Sequence, residues 1–353
     1  MKTRMLIGIC YCLYLAAAPA AATLAEGLNA YRRGDFTTAL RELLPEAEMG
    51  NGEAQFYIGM MYEYGRGVEA NEAEALQWYE RAARTRQSFQ AGIRLAAERG
   101  EINTQVMLAM QYWDQDQDGE AAMKWLARAA EQGDRSAQHL LATIYDEPDQ
   151  VPWIGDSQVS QDYQEAIQWY LRAAEQGDRA SQARLGTLYY FGEGVRKDNQ
   201  AAAEWNRRAA EQGDLEAQNN LGLQYEHGEG VPQSFQEALR WYRQAADAGF
   251  DLAQSNLALL YFLGNGVTQS YEEAAKWWRL AAAQGYEVAQ YNLGLLYRDG
   301  QGVPQDDVQA LKWMILSGNR GFQNARWIAD QLREQMTPAQ AAEATKLAED
   351  WTP

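Results

Sequence analysis

The sequence predicts an all-α solenoid of helix-turn-helix repeats, and two observations carry this prediction. The first is a period of thirty-six residues. The stretch at 215–249 recurs one and two periods later, with apolar residues and glycines at the corresponding positions. The second is that each copy holds two segments with helical apolar spacing, separated by a glycine-rich break. A unit of this kind cannot bury its own apolar face, so stacked copies must share one continuous core.

The two segments of the unit at 215–249 each present one apolar side. The first segment places Ala217, Leu221 and Tyr225 four residues apart, which aligns them along one side of a helix. The second carries a broader apolar stripe, formed by Ala238, Trp241, Tyr242, Ala245 and Ala246. The small residues allow neighbouring helices to approach closely, and we expect the Trp to fill the space between helix layers.

The residues at the segment ends are typical of helix caps. Gly228 and Gly249 directly follow the two segments, where glycine favours a left-handed C-terminal cap. Seven residues before each repeated Trp stands a residue of a type that caps helix N-termini. These residues are Asn71, Asp118, Asp162, Asp198, Ser234, Ser270 and Asp306. Three positions later, five copies carry a Glu or Gln that can complete a capping box, namely Glu74, Glu165, Glu237, Glu273 and Gln309.

The repeated pattern reads A-Q-x-x-L-G-x-x-Y-x-x-G-x-G-V and continues as A-x-x-W-Y-x-x-A-A-x-x-G. It resembles the Sel-one-like repeat (SLR), a relative of the tetratricopeptide repeat. The resemblance covers about seven units within residues 53–321. It implies a right-handed α-solenoid, a superhelix that serves as a protein-interaction scaffold. Members of such a family share a fold and rarely share a single activity.

Residues 1–22 have the features of a signal peptide. Lys2 and Arg4 form a short basic start, Met5–Ala18 is an apolar run, and alanines before Thr23 offer a cleavage site. The apolar run is too short to span a bilayer comfortably, so no membrane span is expected after cleavage. We therefore expect an exported protein, located in the periplasm or secreted.

The cysteine content fits this interpretation. The chain has two cysteines, Cys10 and Cys12, and both lie inside the predicted signal peptide. The mature chain would then have neither a disulfide framework nor thiol chemistry.

Both ends of the solenoid have the features of caps, and two insertions interrupt its period. Residues 23–52 are expected to form an N-terminal capping helix pair, in which Glu42 replaces the Trp because one face meets water. Residues 322–353 are expected to form C-terminal capping helices. The insertions lie near 84–95 and 146–160, and at the first we expect a longer or additional helix.

The loop of the second repeat matches the first half of an EF-hand calcium loop. Asp114, Asp116 and Asp118 alternate with other residues, and Glu120 follows. The twelfth position, where an EF-hand carries its bidentate acid, is Trp125. Asp118 also stands where the helix N-cap is expected. The loop is therefore either a solvated acidic turn with a cap, which we favour, or a weak calcium site; no other metal is expected.

Several kinds of chemistry lack their residues in this sequence. The chain has two histidines, in different repeats, and no phosphate-binding loop, nucleophile elbow or zinc-protease motif. We therefore expect no enzymatic activity and no cofactor. The formal net charge of -18 disfavours nucleic acid as a partner, because a duplex carries dense negative charge. The same charge favours solubility, and we expect a monomer.

One polar position recurs on the first helix of the unit and is a candidate for binding a protein or peptide partner. It holds Asn220, Asn256 and Asn292, with Arg184 at the same place one unit earlier. Asn is unfavourable inside helices, so a row of three needs an explanation. The row either bonds the backbone of a bound peptide on the concave face or makes structural bonds between units, and we favour the structural reading. Trp153, in the second insertion, either tucks back onto its repeat or anchors a partner.

These features favour a non-catalytic interaction scaffold or adaptor of the bacterial cell envelope. One alternative is a carbohydrate- or peptidoglycan-associated module in which Trp113, Trp153 or Trp278 stacks on sugar rings, although Trp278 is better explained as core. Another alternative is a regulatory subunit of a membrane secretion or polysaccharide-export complex.

Overall fold

The computed structural model describes residues 20–83, 89–112, 118–148 and 160–352, and these residues form helices joined by short loops, without a strand. The helices are α1 (Ala20–Arg32), α2 (Phe36–Glu48), α3 (Gly52–Tyr64), α4 (Glu72–Ala83), α5 (Phe89–Glu98), α6 (Ile102–Gln111), α7 (Gly119–Glu131), α8 (Arg135–Asp146), α9 (Tyr163–Glu175), α10 (Arg179–Phe191), α11 (Asn199–Glu211), α12 (Leu215–His227), α13 (Phe235–Asp247), α14 (Asp251–Leu263), α15 (Tyr271–Ala283), α16 (Glu287–Asp299), α17 (Asp307–Asn319), α18 (Gln323–Gln335) and α19 (Pro338–Glu349). The predicted all-α solenoid of repeated helix pairs is confirmed.

Seven helix pairs carry the repeat, and in each the apolar stripes face inward. The pairs are α3–α4, α6–α7, α8–α9, α10–α11, α12–α13, α14–α15 and α16–α17. The predicted stripe residues Ala217, Leu221 and Tyr242 are buried, and Trp125 is fully enclosed. Trp278 is also a core residue, as the sequence favours. Within each compact part of the chain, neighbouring pairs pack on one another, as the core residues shared by α13, α14, α15 and α16 show.

The helix caps follow the sequence pattern closely. All seven predicted N-cap residues accept hydrogen bonds from backbone N–H groups in the first turn of their helices. The acids three positions later behave differently from the capping-box prediction. Glu165 accepts a hydrogen bond from Trp169 Nε1, and Glu237 pairs with Arg240. A capping box is formed at α19, where Thr337 and Gln340 bond each other's backbone.

The paired glycines are turns that also allow a close approach between repeats. Gly228 and Gly230 both have φ near +74°, in the left-handed region. A Cβ atom on Gly230 would lie 1.9 Å from the carbonyl oxygen of Asn199, at the start of the preceding repeat's second helix. A larger residue therefore cannot occupy this position, and the turn fixes the spacing of consecutive pairs.

A row of glutamines, which we call the glutamine ladder, joins neighbouring helices. Each of its first-helix members donates from Nε2 to an alanine carbonyl eight residues earlier, at the end of the preceding helix. These members are Gln55, Gln105, Gln182, Gln218, Gln254 and Gln290. A second glutamine from the end of a later helix donates to the side-chain oxygen of a first-helix glutamine in four places. The pairs are Gln132 to Gln105, Gln176 to Gln138, Gln212 to Gln182, and Gln284 to Gln254.

The chain divides into two compact units, one reaching Gln132 and the other beginning at Gly133. The first unit contains the additional helix that the insertion near 84–95 predicts, and this helix is α5. Arg94 of α5 is completely buried, and its guanidinium pairs with the buried Glu63. The rings of Tyr64, Tyr79 and Trp125 surround the same guanidinium at about 5 Å. A buried cation thus holds the inserted helix to the first unit.

The termini of the described chain are helix pairs. α1 and α2 precede the first repeat, and Asp35 caps α2 through Thr38. α18 and α19 follow the last repeat, and their buried side chains join the core of α17. None of the described helices is long and apolar enough to cross a membrane.

Candidate functional site

The candidate site lies in the second unit, on the exposed side of the first helices of its repeats. We call the exposed side of α10, α12, α14 and α16 the first-helix face. The four residues of the predicted polar row, Arg184, Asn220, Asn256 and Asn292, lie on these helices and are all partly buried. The structure gives the row several local environments.

Arg184 is held in a salt bridge within the fold. Its guanidinium donates to both carboxylate oxygens of Asp146, at 2.6 and 2.8 Å, and Asp146 is almost completely buried. The hydroxyl of Tyr170 donates to the same carboxylate at 3.0 Å. Burial and the nearby Asp146 raise the pKa of the Tyr170 phenol, although a bond to Thr143 opposes them. Arg184 therefore neutralises a buried carboxylate, which is a structural task.

The asparagines of the row also differ from one another. Asn256 Nδ2 donates to Oδ1 of the buried Asn219, one repeat earlier, at 2.9 Å. Asn220 lines a cavity between α10 and α12. A structural bond between repeats thus accounts for Asn256, whereas the surroundings of Asn220 leave room for a ligand.

Exposed apolar side chains accompany the row on the first-helix face. Leu252, Leu259 and Leu263 of α14 are 37%, 37% and 50% exposed, and Phe191 of α10 is 63% exposed. Because Leu259 stands one period after Leu223, which lines the cavity, it faces the same way. Exposed leucines at this spacing form an apolar stripe along one helix side, and such stripes mark interaction surfaces.

The cavity between α10 and α12 has a volume of about 250 Å³. Its apolar walls are Tyr190, Phe191 and Leu223, and its polar lining includes Asn206 and Gln224. Asn206 and Gln224 are each 2% exposed, and Asn206 Nδ2 donates to Gln224 Oε1 at 3.1 Å. The remaining atoms of the two amides, Asn206 Oδ1 and Gln224 Nε2, have no hydrogen-bond partner. Leaving two buried polar atoms unpaired costs about 1–3 kcal/mol for each atom.

The cavity lies where two successive repeats carry unusual residues, Asn206 in one and Gln224 in the next. The second helix usually places a large side chain against a first-helix glycine, as Tyr242 packs on Gly222, but Asn206 stands opposite Gly186. The residue eighteen positions after that side chain is usually Leu or Ile, but here it is Gln224. The residues at this position in other repeats are Ile144, Leu188, Leu260 and Leu296.

A third position of interest lies sixteen residues before the packed side chain, where two repeats carry an acid that accepts a tyrosine hydroxyl. Tyr79 donates to Glu63 and Tyr242 donates to Glu226, each sixteen residues earlier. Tyr190 occupies this position in the repeat that carries Asn206 in place of the tyrosine. The acid is thus absent where no hydroxyl needs it. Comparing the repeats at these three positions could have revealed the cavity from the sequence, but the polar row drew attention instead.

Tyr190 forms a fixed wall of the cavity. Its hydroxyl bonds the Glu229 carboxylate, and this bond, together with burial, raises the pKa of the phenol. Its ring contacts Phe191 edge-to-face at 5.0 Å, and the Lys197 ammonium lies over it at 5.0 Å. Glu216 lies at the mouth of the cavity and is exposed. An anionic ligand would meet this carboxylate, so the electrostatics favour a neutral or cationic group.

The remaining candidates from the sequence lie partly outside the described residues. Asp114, Asp116 and Trp153 are among the residues that the structure leaves out, as are Trp113 and most of the predicted signal peptide. Asp118 accepts from Ala121 N as a helix cap and pairs with Arg66 at 2.8 Å. The described parts of the chain contain no group of three or more His, Cys, Asp or Glu side chains placed to hold a metal ion.

Comparisons with known proteins identify the family of the repeat. The family model of the Sel1 repeat matches seven segments, 52–84, 105–134, 136–178, 179–214, 215–250, 251–286 and 288–322. A solved Sel1 repeat protein from Oxalobacter formigenes is 29% identical, with 89% of this chain and 87% of that chain covered and a TM-score of 0.53. A protective antigen of uropathogenic Escherichia coli with an SLR fold is 26% identical, with coverages of 94% and 91% and a TM-score of 0.39. Among curated proteins, no relative matches. Because the seven segments occupy most of its length, the chain belongs to the Sel1 repeat family.

Proposed function

We propose that this protein is a non-catalytic interaction scaffold or adaptor of the bacterial cell envelope that binds a segment of a protein partner on the first-helix face of its second unit. Sel1 and tetratricopeptide-like repeat proteins are generally protein-interaction scaffolds, and the helical solenoid supports the same role here. The single observation that carries the proposal is the exposed apolar stripe of Leu252, Leu259 and Leu263 beside the cavity at Asn220.

The physical argument for this surface is its combination of apolar area and fixed polar groups. When a partner covers exposed leucines, burial of their apolar area stabilises the complex by about 25 cal/mol for each Å². The partly buried Asn220 can orient the partner, since directional bonds supply specificity more than affinity. A formal net charge of -18 favours a partner whose contacting surface is basic or polar around an apolar centre.

The cellular location in this proposal rests on the N-terminal sequence. The basic start and apolar run at residues 1–22 are features of an export signal, so the mature chain would act in the periplasm or outside the cell. The helix pairs α1–α2 and α18–α19 flank the repeats, and such terminal caps favour a monomer.

Affinity capture with in situ crosslinking tests the proposal. The baits are the chain from Thr23, a Leu259→Asp variant, and a variant with Asn220, Asn256 and Asn292 changed to Ala. Captured proteins are identified by mass spectrometry. The matched control is Leu280→Asp, because Leu280 is 45% exposed but lies on α15, a second helix.

We expect one partner to be captured by the original chain and by Leu280→Asp, and to be lost with Leu259→Asp. A buried aspartate at the centre of an apolar contact costs several kcal/mol, whereas an exposed one on the opposite helix costs little. Capture that is lost with Leu280→Asp and kept with Leu259→Asp would contradict the proposed surface. Loss with the asparagine variant, in a bait that still melts cooperatively, would add the polar row to the site.

A further inference from the structure

We propose that the cavity between α10 and α12 receives a glutamine or asparagine side chain of the bound partner segment. The inference rests on the proposed function, because it specifies what the first-helix face recognises at one point. It is carried by the unpaired atoms of the two buried amides, Asn206 and Gln224, and by the apolar side chains that line the cavity with these two residues.

The chemistry of the two amides specifies the ligand. Asn206 Oδ1 is an unpaired acceptor and Gln224 Nε2 is an unpaired donor. A primary amide offers one N–H to the first and one carbonyl oxygen to the second, so it satisfies both. Reversing both amides in place keeps their mutual hydrogen bond and again leaves one donor and one acceptor. The Asn206–Gln224 pair is therefore complementary to an amide whichever way the nitrogen and oxygen atoms of the two side chains are assigned.

A carboxylate does not fit this arrangement. It has no donor for the Asn206 oxygen, and its charge would lie near the exposed Glu216 at the cavity mouth. An ammonium group has no acceptor for the Gln224 donor. Of these three groups, the amide of glutamine or asparagine is the one that satisfies both atoms, and the methylenes of glutamine would contact Phe191 and Leu223.

The size of the cavity also favours a side chain over a single solvent molecule. A water molecule occupies about 30 Å³ in the liquid, which is far less than the volume between α10 and α12. Both unpaired atoms are closed to solvent in the unliganded chain, so the entering amide must displace the Gln224 side chain slightly. The free energy that the two unpaired atoms cost is regained when a ligand forms hydrogen bonds with both of them. A side chain that cannot form both bonds therefore binds more weakly than one that can.

Two substitutions remove the amide site and restore the usual repeat. Asn206→Tyr introduces the residue that faces the corresponding glycine in other repeats, as Tyr242 faces Gly222, and fills the cavity. Gln224→Leu introduces the residue found at 188, 260 and 296. Both variants should therefore fold, and thermal melting measured by circular dichroism verifies this.

The test is selection of random displayed peptides on the whole mature chain, followed by affinity measurements on synthetic peptides. We expect the enriched peptides to share a Gln or Asn at one aligned position. Changing that residue of the peptide to Glu should weaken binding about tenfold or more. Asn206→Tyr and Gln224→Leu should weaken binding of the original peptide to a similar degree, whereas Leu280→Asp should leave it unchanged.

The outcomes separate this inference from the proposed function. One outcome is that Leu259→Asp abolishes peptide binding, whereas neither Asn206→Tyr nor the Gln-to-Glu change of the peptide affects it. In that case the first-helix face binds partners, and the proposal that the cavity receives an amide side chain is wrong. If no peptide is enriched, or if binding ignores Leu259→Asp as well, both proposals are overturned.

Discussion

The side-chain amide of Gln284 donates a hydrogen bond of 2.9 Å to Oε1 of Gln254, thirty residues earlier, and a second bond of 3.0 Å to the carbonyl of Gly249. Gln254 in turn donates to Ala246 at the end of the preceding helix. Each complete step of the glutamine ladder thus connects three helices through one buried and one exposed glutamine side chain. The ladder is incomplete at Gln55, Gln218 and Gln290, whose side-chain oxygens are buried without a partner.

The gap at Gln218 predicts a stabilising substitution. The position thirty residues after Gln218 is Ala248, whereas Gln212 and Gln284 hold that position in two other repeats. We expect Ala248→Gln to raise the free energy of unfolding by about 1 kcal/mol, because its amide would pair a buried acceptor. Urea unfolding followed by circular dichroism measures the change. Ala248→Glu is the control, since it has similar size but no donor, and a gain that is equal in both variants would contradict the ladder.

Close packing between a first-helix glycine and the tyrosine of the same repeat predicts an unusual effect of alanine. A Cβ atom on Gly222 would lie 2.6 Å from the ring of Tyr242. We expect Gly222→Ala to destabilise the chain by about 1–3 kcal/mol through this overlap, although alanine normally favours a helix. Thermal melting measures the loss.

The matched control for that substitution is Gly92→Ala in α5. A Cβ atom on Gly92 would meet nothing within 4 Å, so helix propensity alone acts there. The control should stabilise the chain by about 0.5–1 kcal/mol. If both variants shift stability in the same direction, the packing against Tyr242 does not explain the glycine.

The salt bridge of Arg184 predicts a large stability effect. Arg184→Ala would leave the buried Asp146 without its cation, and breaking a buried pair in this way costs about 3–5 kcal/mol. Arg240→Ala is the control, because the Arg240–Glu237 pair is exposed and such pairs contribute about 0–1 kcal/mol. Chemical denaturation of both variants provides the comparison. Equal losses would show that Arg184 is not the structural partner of Asp146.

The buried pair in the first unit predicts a dependence of stability on pH. Burial by itself would raise the pKa of the Glu63 carboxyl, but Arg94, Lys124 and the Tyr79 hydroxyl hold it below its usual 4.5. Since the pKa is lower in the folded chain, the charged pair stabilises it fully above pH 4.5, and the contribution is lost as pH falls through the folded value.

The variant Glu63→Gln tests this dependence. We expect it to destabilise the chain at pH 7 by about 3 kcal/mol, because Arg94 would remain buried without a counter-charge. The loss of stability between pH 5 and pH 3 should also be smaller in the variant than in the original chain. Urea unfolding at several pH values measures both quantities, and parallel curves would contradict the assigned role of Glu63.

The sequence predicted the fold well because the same pattern of apolar, capping and glycine residues recurs in several copies. Helix spacing, N-caps such as Asp198 and Ser234, and the position of α5 all follow from local chemistry that a period makes visible. The Glu165 capping box did not form, because the backbone N–H of Asp162 donates to the carbonyl of Tyr145 and the Glu165 carboxylate accepts from Trp169 instead. Local patterns cannot rank two partners that are both within reach.

The candidate site was harder to predict because it depends on contacts between distant positions. Arg184 stands in the same row as Asn220, yet its partner Asp146 lies thirty-eight residues earlier across an irregular insertion. Asn206 and Gln224 look like ordinary polar substitutions when each is considered separately. Only the packing of α10, α11 and α12 brings the two amides together over a cavity.

Site-specific photocrosslinking in cells tests most directly whether the first-helix face binds a partner. A photoreactive phenylalanine replaces Leu259 of α14 in one strain and Leu280 of α15 in a second, so that two similarly exposed leucines on different helices are compared. We expect irradiation to give one discrete crosslinked product from position 259 and none from position 280. A product from position 280 alone, or the same products from both positions, would contradict a binding surface on the first helices.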